Sequence, residues 1–356
     1  MRRQIAAVVA GLLFCGAQAF AQGAGSGPVA KARATTPEIP YETVPNLYRM
    51  PDGLYMGEGI GVATNSKGHL FIFTRSGESR VFEFDKAGNF VKEFGKDSYG
   101  YGFAHAVHVD KDDNVWSIDE GSNLLIKYAP DGKLLMVMGK HPDPIDQLAK
   151  MPGVAPWSGA NRPYSFHRPT DFGWDPQGNI FVSDGYTDAR IVKYDKNGRF
   201  IKSAGRRGNP ANPLEFAAPH TMAVDDKGNV YVGDRGNSRI VVLDNDLNQK
   251  AVYDNVGAPW GICISPGPHQ YLYTSNSAGT TIDSRFRPNT GEIYKMELDG
   301  TVLGRFGKSG VAPGEFASIH QMDCRFPNEI YTAEIQGWRV QKVILHPDRL
   351  ETTSRD

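Results

Sequence analysis

Cysteine is scarce in this chain, with three in 356 residues. That number cannot staple a disulfide scaffold, so a fold of this length must rest on apolar cores. A surplus of either charge is also missing: 39 Lys and Arg face 40 Asp and Glu, for a formal net charge of −1. No strong field surrounds such a protein, and neither nucleic acid nor a membrane surface is expected as partner. No stretch sustains the 3.6-residue period of amphipathic helices, which argues against a helical fold. Long apolar runs are absent except at the N-terminus, where Ile5–Ala17 follows Arg2 and Arg3 and precedes Ala19-Phe20-Ala21. At about a dozen residues this run is too short to span a bilayer and has the layout of a secretory signal, residues 1–21. Phe14 before Cys15 argues against a lipid anchor. A periplasmic or secreted location follows. Removing the signal leaves Cys263 and Cys324, expected to be two buried thiols used as small apolar residues, because regular neighbouring strands would point them to opposite sides. Residues 22–40, rich in Gly, Ala, Thr and Pro, are expected to be a flexible leader.

What the chain has is repetition. Six segments share an apolar strand, a turn built on Gly, Asn or Asp, and a second alternating strand: Gly61–Thr74, Val107–Asp119, Phe172–Asp184, Met222–Asp234, Ile262–Asn276 and Met322–Glu334. Asp-x-x-Gly-Asn turns provide the positive-φ positions of a tight hairpin. A second hairpin follows most units, as in Arg80–Gly95, Leu124–Gly139, Arg190–Gly205 and Glu292–Gly307. Four strands per unit make a propeller blade, and the shorter repeat intervals match the roughly 40–50 residues of one blade. The pattern predicts an all-β protein, a six-bladed β-propeller of four-stranded antiparallel blades over 41–348, with 349–356 as a tail. The sixth unit has three clear strands, so the segment around Tyr41–Tyr48 is expected to pair there and close the ring.

Eight residues before the turn anchor, at the start of the innermost strand, five units read Ile60, His105, Thr170, His220 and His320, and matching the strand ends places Trp260 there in the fifth unit. Histidine thus occupies one register position in alternate blades, about 120° apart around the channel. Three imidazoles converging at one height suit a zinc site with three nitrogen ligands and an open fourth position. The loop after each second strand returns to that face, bringing Arg75, Arg235 and Tyr186. Two insertions, Lys140–Pro169 with Trp157, Tyr164 and His167, and Ser277–Asn289 with Arg285 and Arg287, also emerge there and are expected to wall the mouth. His141 and His167 are expected to be surface residues, and His108 has the wrong parity for a ligand.

At these residues the chain resembles the NHL-repeat propeller of peptidyl-α-hydroxyglycine α-amidating lyase (peptidylamidoglycolate lyase), most strongly over Arg168–Arg190 and Pro219–Ile240. The resemblance implies zinc held by His105, His220 and His320, a catalytic Tyr186 in Ser183-Asp184-Gly185-Tyr186, and two functional arginines, Arg75 and Arg235. It also implies a structural calcium served by an Asp after the third histidine. Here that residue is Gln321, which carries no charge and argues against calcium. Ser318-Ile319 stands where the family has Met-Pro, and Thr187 where it has a cysteine.

The reaction implied is cleavage of the N–C bond of a peptidyl- or N-acyl-α-hydroxyglycine to an amide and glyoxylate, by a protein acting as a monomer on a peptide or small molecule. Two alternatives remain at this level: a non-catalytic propeller that binds a protein or glycan, and another metal-dependent propeller hydrolase such as a lactonase.

Overall fold

The computed structural model describes residues 32–33, 35–141, 162–277 and 290–349. The signal segment, most of the leader, Trp157, Arg285, Arg287 and nearly all of the tail lie outside the described residues.

Six four-stranded antiparallel sheets form the expected six-bladed propeller. Innermost to outermost, the first blade is Gly59–Thr64, Leu70–Thr74, Arg80–Phe84 and Phe90–Phe94. The inner strands of the next four are Ala104–Val109, Asp171–Trp174, Pro219–Val224 and Pro259–Ile264. The sixth blade is Ile319–Asp323, Glu329–Glu334 and Arg339–Leu345, and Tyr41–Thr43 completes it from the other end of the chain, with Tyr41 opposite Leu345. This pairing removes the two open edges that a ring of separate blades would leave.

The hairpin turns work as their composition suggests. Asp175 Oδ1 accepts the backbone N–H groups of Gln177 and Asn179, and Gly178 between them sits at φ 84°. Asp225 and Gly228 repeat the arrangement in the fourth blade. An L side chain at that φ carries steric strain, which is why glycine recurs there.

The core lies between blades. Six apolar clusters join neighbouring blades; Phe73 and Ile60 meet Val107 and Leu124 in one that also takes in Trp260 and Ile335, and Trp116 and Ile118 meet Phe172 and Tyr194. Truncating one of these rings, such as Phe73, leaves a cavity worth about 3–5 kcal/mol.

Two expectations are corrected. The packed unit begins ahead of Tyr41: Ile39 is buried against Gly304, and Arg33 Nε lies 2.8 Å from Glu292. Cys263 and Cys324 are joined in a disulfide with Cα atoms 6.1 Å apart, within the usual range. The parity argument failed because the last inner strand ends at Asp323, so Cys324 stands one residue beyond it, where alternation no longer dictates direction.

Candidate metal centre

Five of the six inner strands start with the same irregularity, the third blade's being regular from Asp171. Ala104 faces Asp119 and Ala106 faces Ile118, so His105 is an extra residue with no partner across the ladder. Pro219, Thr221 and His220 repeat this against Asp234 and Gly233, as do Ile319, Gln321 and His320 against Glu334 and Ala333. Gly59 and Gly61 flank Ile60 in the same way, and the register also shifts between Pro259 and Ile262, around Trp260. A β-bulge re-aims the residue it contains. Here it turns the three histidines together. Their ring centroids lie 4.8, 4.5 and 4.7 Å apart, close to an equilateral triangle.

In five of the six blades a buried acceptor at the end of the second strand holds the loop that leads into the inner strand. Asp234 Oδ1 accepts from Ala217 and Ala218 N–H, Asp119 from Gly102 and Phe103, and Glu334 from Ala317. Arg239 and Arg339 pair with Asp234 and Glu334 in turn. The recurrent Asp, Asn or Glu at these strand ends was visible in the repeat, although its role was not.

The bulged residues of the alternate blades provide the next layer. His220 Nδ1 donates to the Trp260 carbonyl at 2.8 Å, and His320 Nδ1 to the Ile60 carbonyl at 2.9 Å. Since a carbonyl only accepts, both rings are held with the proton on Nδ1 and the lone pair of Nε2 free. The Thr170 backbone is the corresponding partner of His105, whose Nδ1 makes no well-aligned bond. Such outer partners set tautomer and ring orientation in metal sites.

All three imidazoles are 1–3% exposed. Burial holds each well below the usual imidazole range, helped by Arg235 and Arg75 nearby, so all three stay neutral. That is the protonation state a metal needs. One ligand atom from each lies within 4.8 Å of the others, and His220 Nε2 is buried without a hydrogen-bond partner. A buried lone pair with no donor is costly unless something binds it, so the residues fit a cation.

Tyr186, from the loop after the second strand of the third blade, places Oη 3.2 Å from His105 Nε2. Burial raises its phenol above the usual range, against the pull of Arg235, Arg75 and Arg168, so the protonated phenol donates to His105. The guanidinium of Arg235 lies 5.4 Å from the Tyr186 ring and 4.3 Å from Trp260, and no carboxylate pairs with it among the described residues. Arg75 is held by Glu58 at 2.9 Å and stacks on Phe103, and its charge reaches His105 and His320. The structure therefore assembles all six residues expected from the sequence. It adds Glu120 and Arg168, an ion pair beside Tyr186 and His105; Glu120 follows its second strand at the same repeat position as Arg75 and Arg235, a signal the sequence reading passed over.

The other histidines lie apart. His108 bonds Asp171 at 2.7 Å. His167 bonds Asp188, in a group where Arg190 already neutralises Asp184 and Asp188. The residues at Gln321 do not fit calcium: its Oε1 accepts from Val62 and Val107 N–H, and its Nε2 donates to the Val107 carbonyl. Backbone donors converge there, and a hard cation needs oxygen ligands.

Comparison with known proteins agrees with this architecture. Residues 216–243 match the NHL repeat family. The chain is 28% identical over 218 residues to a probable peptidyl-alpha-hydroxyglycine alpha-amidating lyase of Caenorhabditis elegans, covering 54% of this chain and 57% of that protein. It is 25% identical over 380 residues to peptidyl-alpha-hydroxyglycine alpha-amidating lyase 1 of Drosophila melanogaster, covering 90% and 65%. The chain thus spans less than two-thirds of either relative. A solved streptogramin B lyase superposes with a TM-score of 0.54 at 14% identity, over 86% of this chain and 98% of that one, which supports the fold.

Proposed function

We propose that this relative of the amidating lyases is a zinc-dependent carbon–nitrogen lyase that converts a peptidyl- or N-acyl-α-hydroxyglycine to an amide and glyoxylate. The observation that carries the proposal is the meeting, at a single point, of three neutral imidazoles, one phenol and a guanidinium with no carboxylate partner among the described residues. His105, His220 and His320 would hold zinc through Nε2, and the ion supplies Lewis acidity toward the substrate hydroxyl. Tyr186 Oη takes the hydroxyl proton and returns it to the departing amide nitrogen. Arg235, which no carboxylate pairs with among the described residues, binds the substrate carboxylate by charge-assisted hydrogen bonds. Arg75, oriented by Glu58, adds positive potential that favours the phenolate. The hydroxyl carbon keeps its oxygen as an aldehyde while the C–N electron pair leaves with nitrogen, so no water is consumed. Residues 1–21 support placing this activity in the periplasm or outside the cell.

The test is glyoxylate release from N-acyl-α-hydroxyglycines by protein of known metal content, beside enzyme-free and metal-stripped controls. We expect about one zinc per chain and a rate lost on stripping and regained on adding zinc. Protein with full zinc that releases no glyoxylate above the controls, across several acyl groups, refutes the proposal.

A further inference from the structure

Arg168 is held in a conformation that its sequence opposes. It precedes Pro169, and a residue before proline is pushed toward extended backbone, yet Arg168 sits in the left-handed region at φ 61°. Non-glycine residues in that region persist where surrounding bonds over-determine them, often at functional sites. The bonds are present: Arg168 N–H donates to Asn123 Oδ1 at 2.9 Å, and its carbonyl accepts from Tyr186 N–H at 3.3 Å. The consequence is where the guanidinium goes. It lies 4.8 Å from the Tyr186 ring centroid, and Nε and Nη2 both donate to Glu120 Oε1. Glu120 is itself buried, and its other oxygen lies 3.9 Å from His105 Nε2. Nη1 makes no hydrogen bond among the described residues.

The arginines differ in depth and pairing. Arg75 has a side chain only 11% exposed and is held by Glu58, whereas the Arg168 side chain is half exposed. A ligand reaching histidines buried this deeply enters past the more exposed groups, and whatever extends from the reacting carbon toward solvent passes them again. In an N-acyl-α-hydroxyglycine the extending part is the acyl amide, while the carboxylate is satisfied by Arg235.

We propose that Arg168, clamped by Glu120, receives the leaving group, with Nη1 donating to the acyl oxygen of the substrate; this rests on the lyase function proposed above. As the C–N bond breaks, its electron pair passes to nitrogen and spreads onto the acyl oxygen, and the proton from Tyr186 finishes on nitrogen. A fixed cation at that oxygen stabilises charge that develops only in the transition state.

The experiment measures kcat/KM for glyoxylate release from N-benzoyl-α-hydroxyglycines carrying para-nitro, no substituent or para-methoxy, whose amides leave progressively less well. Wild type, Arg168→Ala, Arg168→Lys and Glu120→Gln are compared at verified zinc content. For Arg168→Ala we expect a loss of about 10- to 100-fold on the unsubstituted substrate, the range of a hydrogen bond to a charged group. The loss should be smaller for para-nitro and larger for para-methoxy. Arg168→Lys should be intermediate, and Glu120→Gln should show the same trend more weakly. A merely structural role would lower all three substrates equally, and an equal loss or no loss overturns the proposal. Should Arg168→Ala not retain zinc, Arg168→Lys decides by the same criterion. If wild type releases no glyoxylate, the lyase function fails and this proposal with it; if wild type is active with a flat Arg168 series, only this proposal fails.

Discussion

Replacing Tyr186 by Phe separates the roles assigned to the centre. Oη is the only polar atom removed, and the ring contacts with His105 and His220, at 5.4 and 5.8 Å between centroids, remain available to phenylalanine. Oη lies 3.2 Å from His105 Nε2, the lone pair that a bound ion would use. Metal binding must therefore displace this hydrogen bond, whose net worth is about 0.5–1.5 kcal/mol. Deleting it should tighten zinc by about two- to tenfold, or leave affinity unchanged where solvent takes over the bond. Turnover should move the other way, falling about 10²- to 10⁴-fold with the loss of a positioned acid–base group, while KM changes little because Arg235 and the metal still hold the substrate. The assays are competition of the apoprotein against a chromophoric chelator and steady-state glyoxylate release at saturating zinc. A variant that binds zinc at least tenfold more weakly would make Tyr186 a support of the metal site rather than a proton carrier. A variant turning over within tenfold of wild type would remove it from proton transfer altogether.

Two further predictions concern the scaffold. Peptide mapping of denatured, unreduced protein should recover Cys263 linked to Cys324, and breaking a link between residues 61 apart should cost about 4 kcal/mol by loop-closure entropy; two free thiols, or unchanged thermal stability after reduction, would contradict this. The hydrogen bond from Asp188 raises the pKa of His167 above its ordinary value, so protonated His167 adds stability that is fully present below about pH 6.5 and lost as pH rises through the folded value. His167→Asn should flatten the pH dependence of the melting temperature between about pH 6 and 8, and a wild-type profile already flat there would refute the assignment.

Much of this was legible in the chain because a propeller is periodic. Asp-x-x-Gly-Asn turns and period-two strands recur at blade spacing, so one alignment located the inner strands and placed His105, His220 and His320 at a shared register. Tyr186, Arg75 and Arg235 followed from topology, since the loop after a second strand must return to the face where the first began. Periodicity carries information only about positions that repeat. The bulge that aims each histidine is a backbone event; its register shift appears only when the strands are paired. The tautomers were set by carbonyls of Trp260 and Ile60 in the following blades, a contact that exists only once the ring has closed. Cys324 escaped strand parity by lying one residue past its strand, and local alternation cannot register where a strand stops. Glu120 stands at the repeat position of Arg75 and Arg235, and Arg168 at that of Glu58, but they pair between different blades, so only packing showed that this ion pair lies beside Tyr186. The local pattern thus determined the blades and which residue types met at the channel, while tertiary structure decided where lone pairs and charges pointed, because direction depends on neighbours far away in the chain.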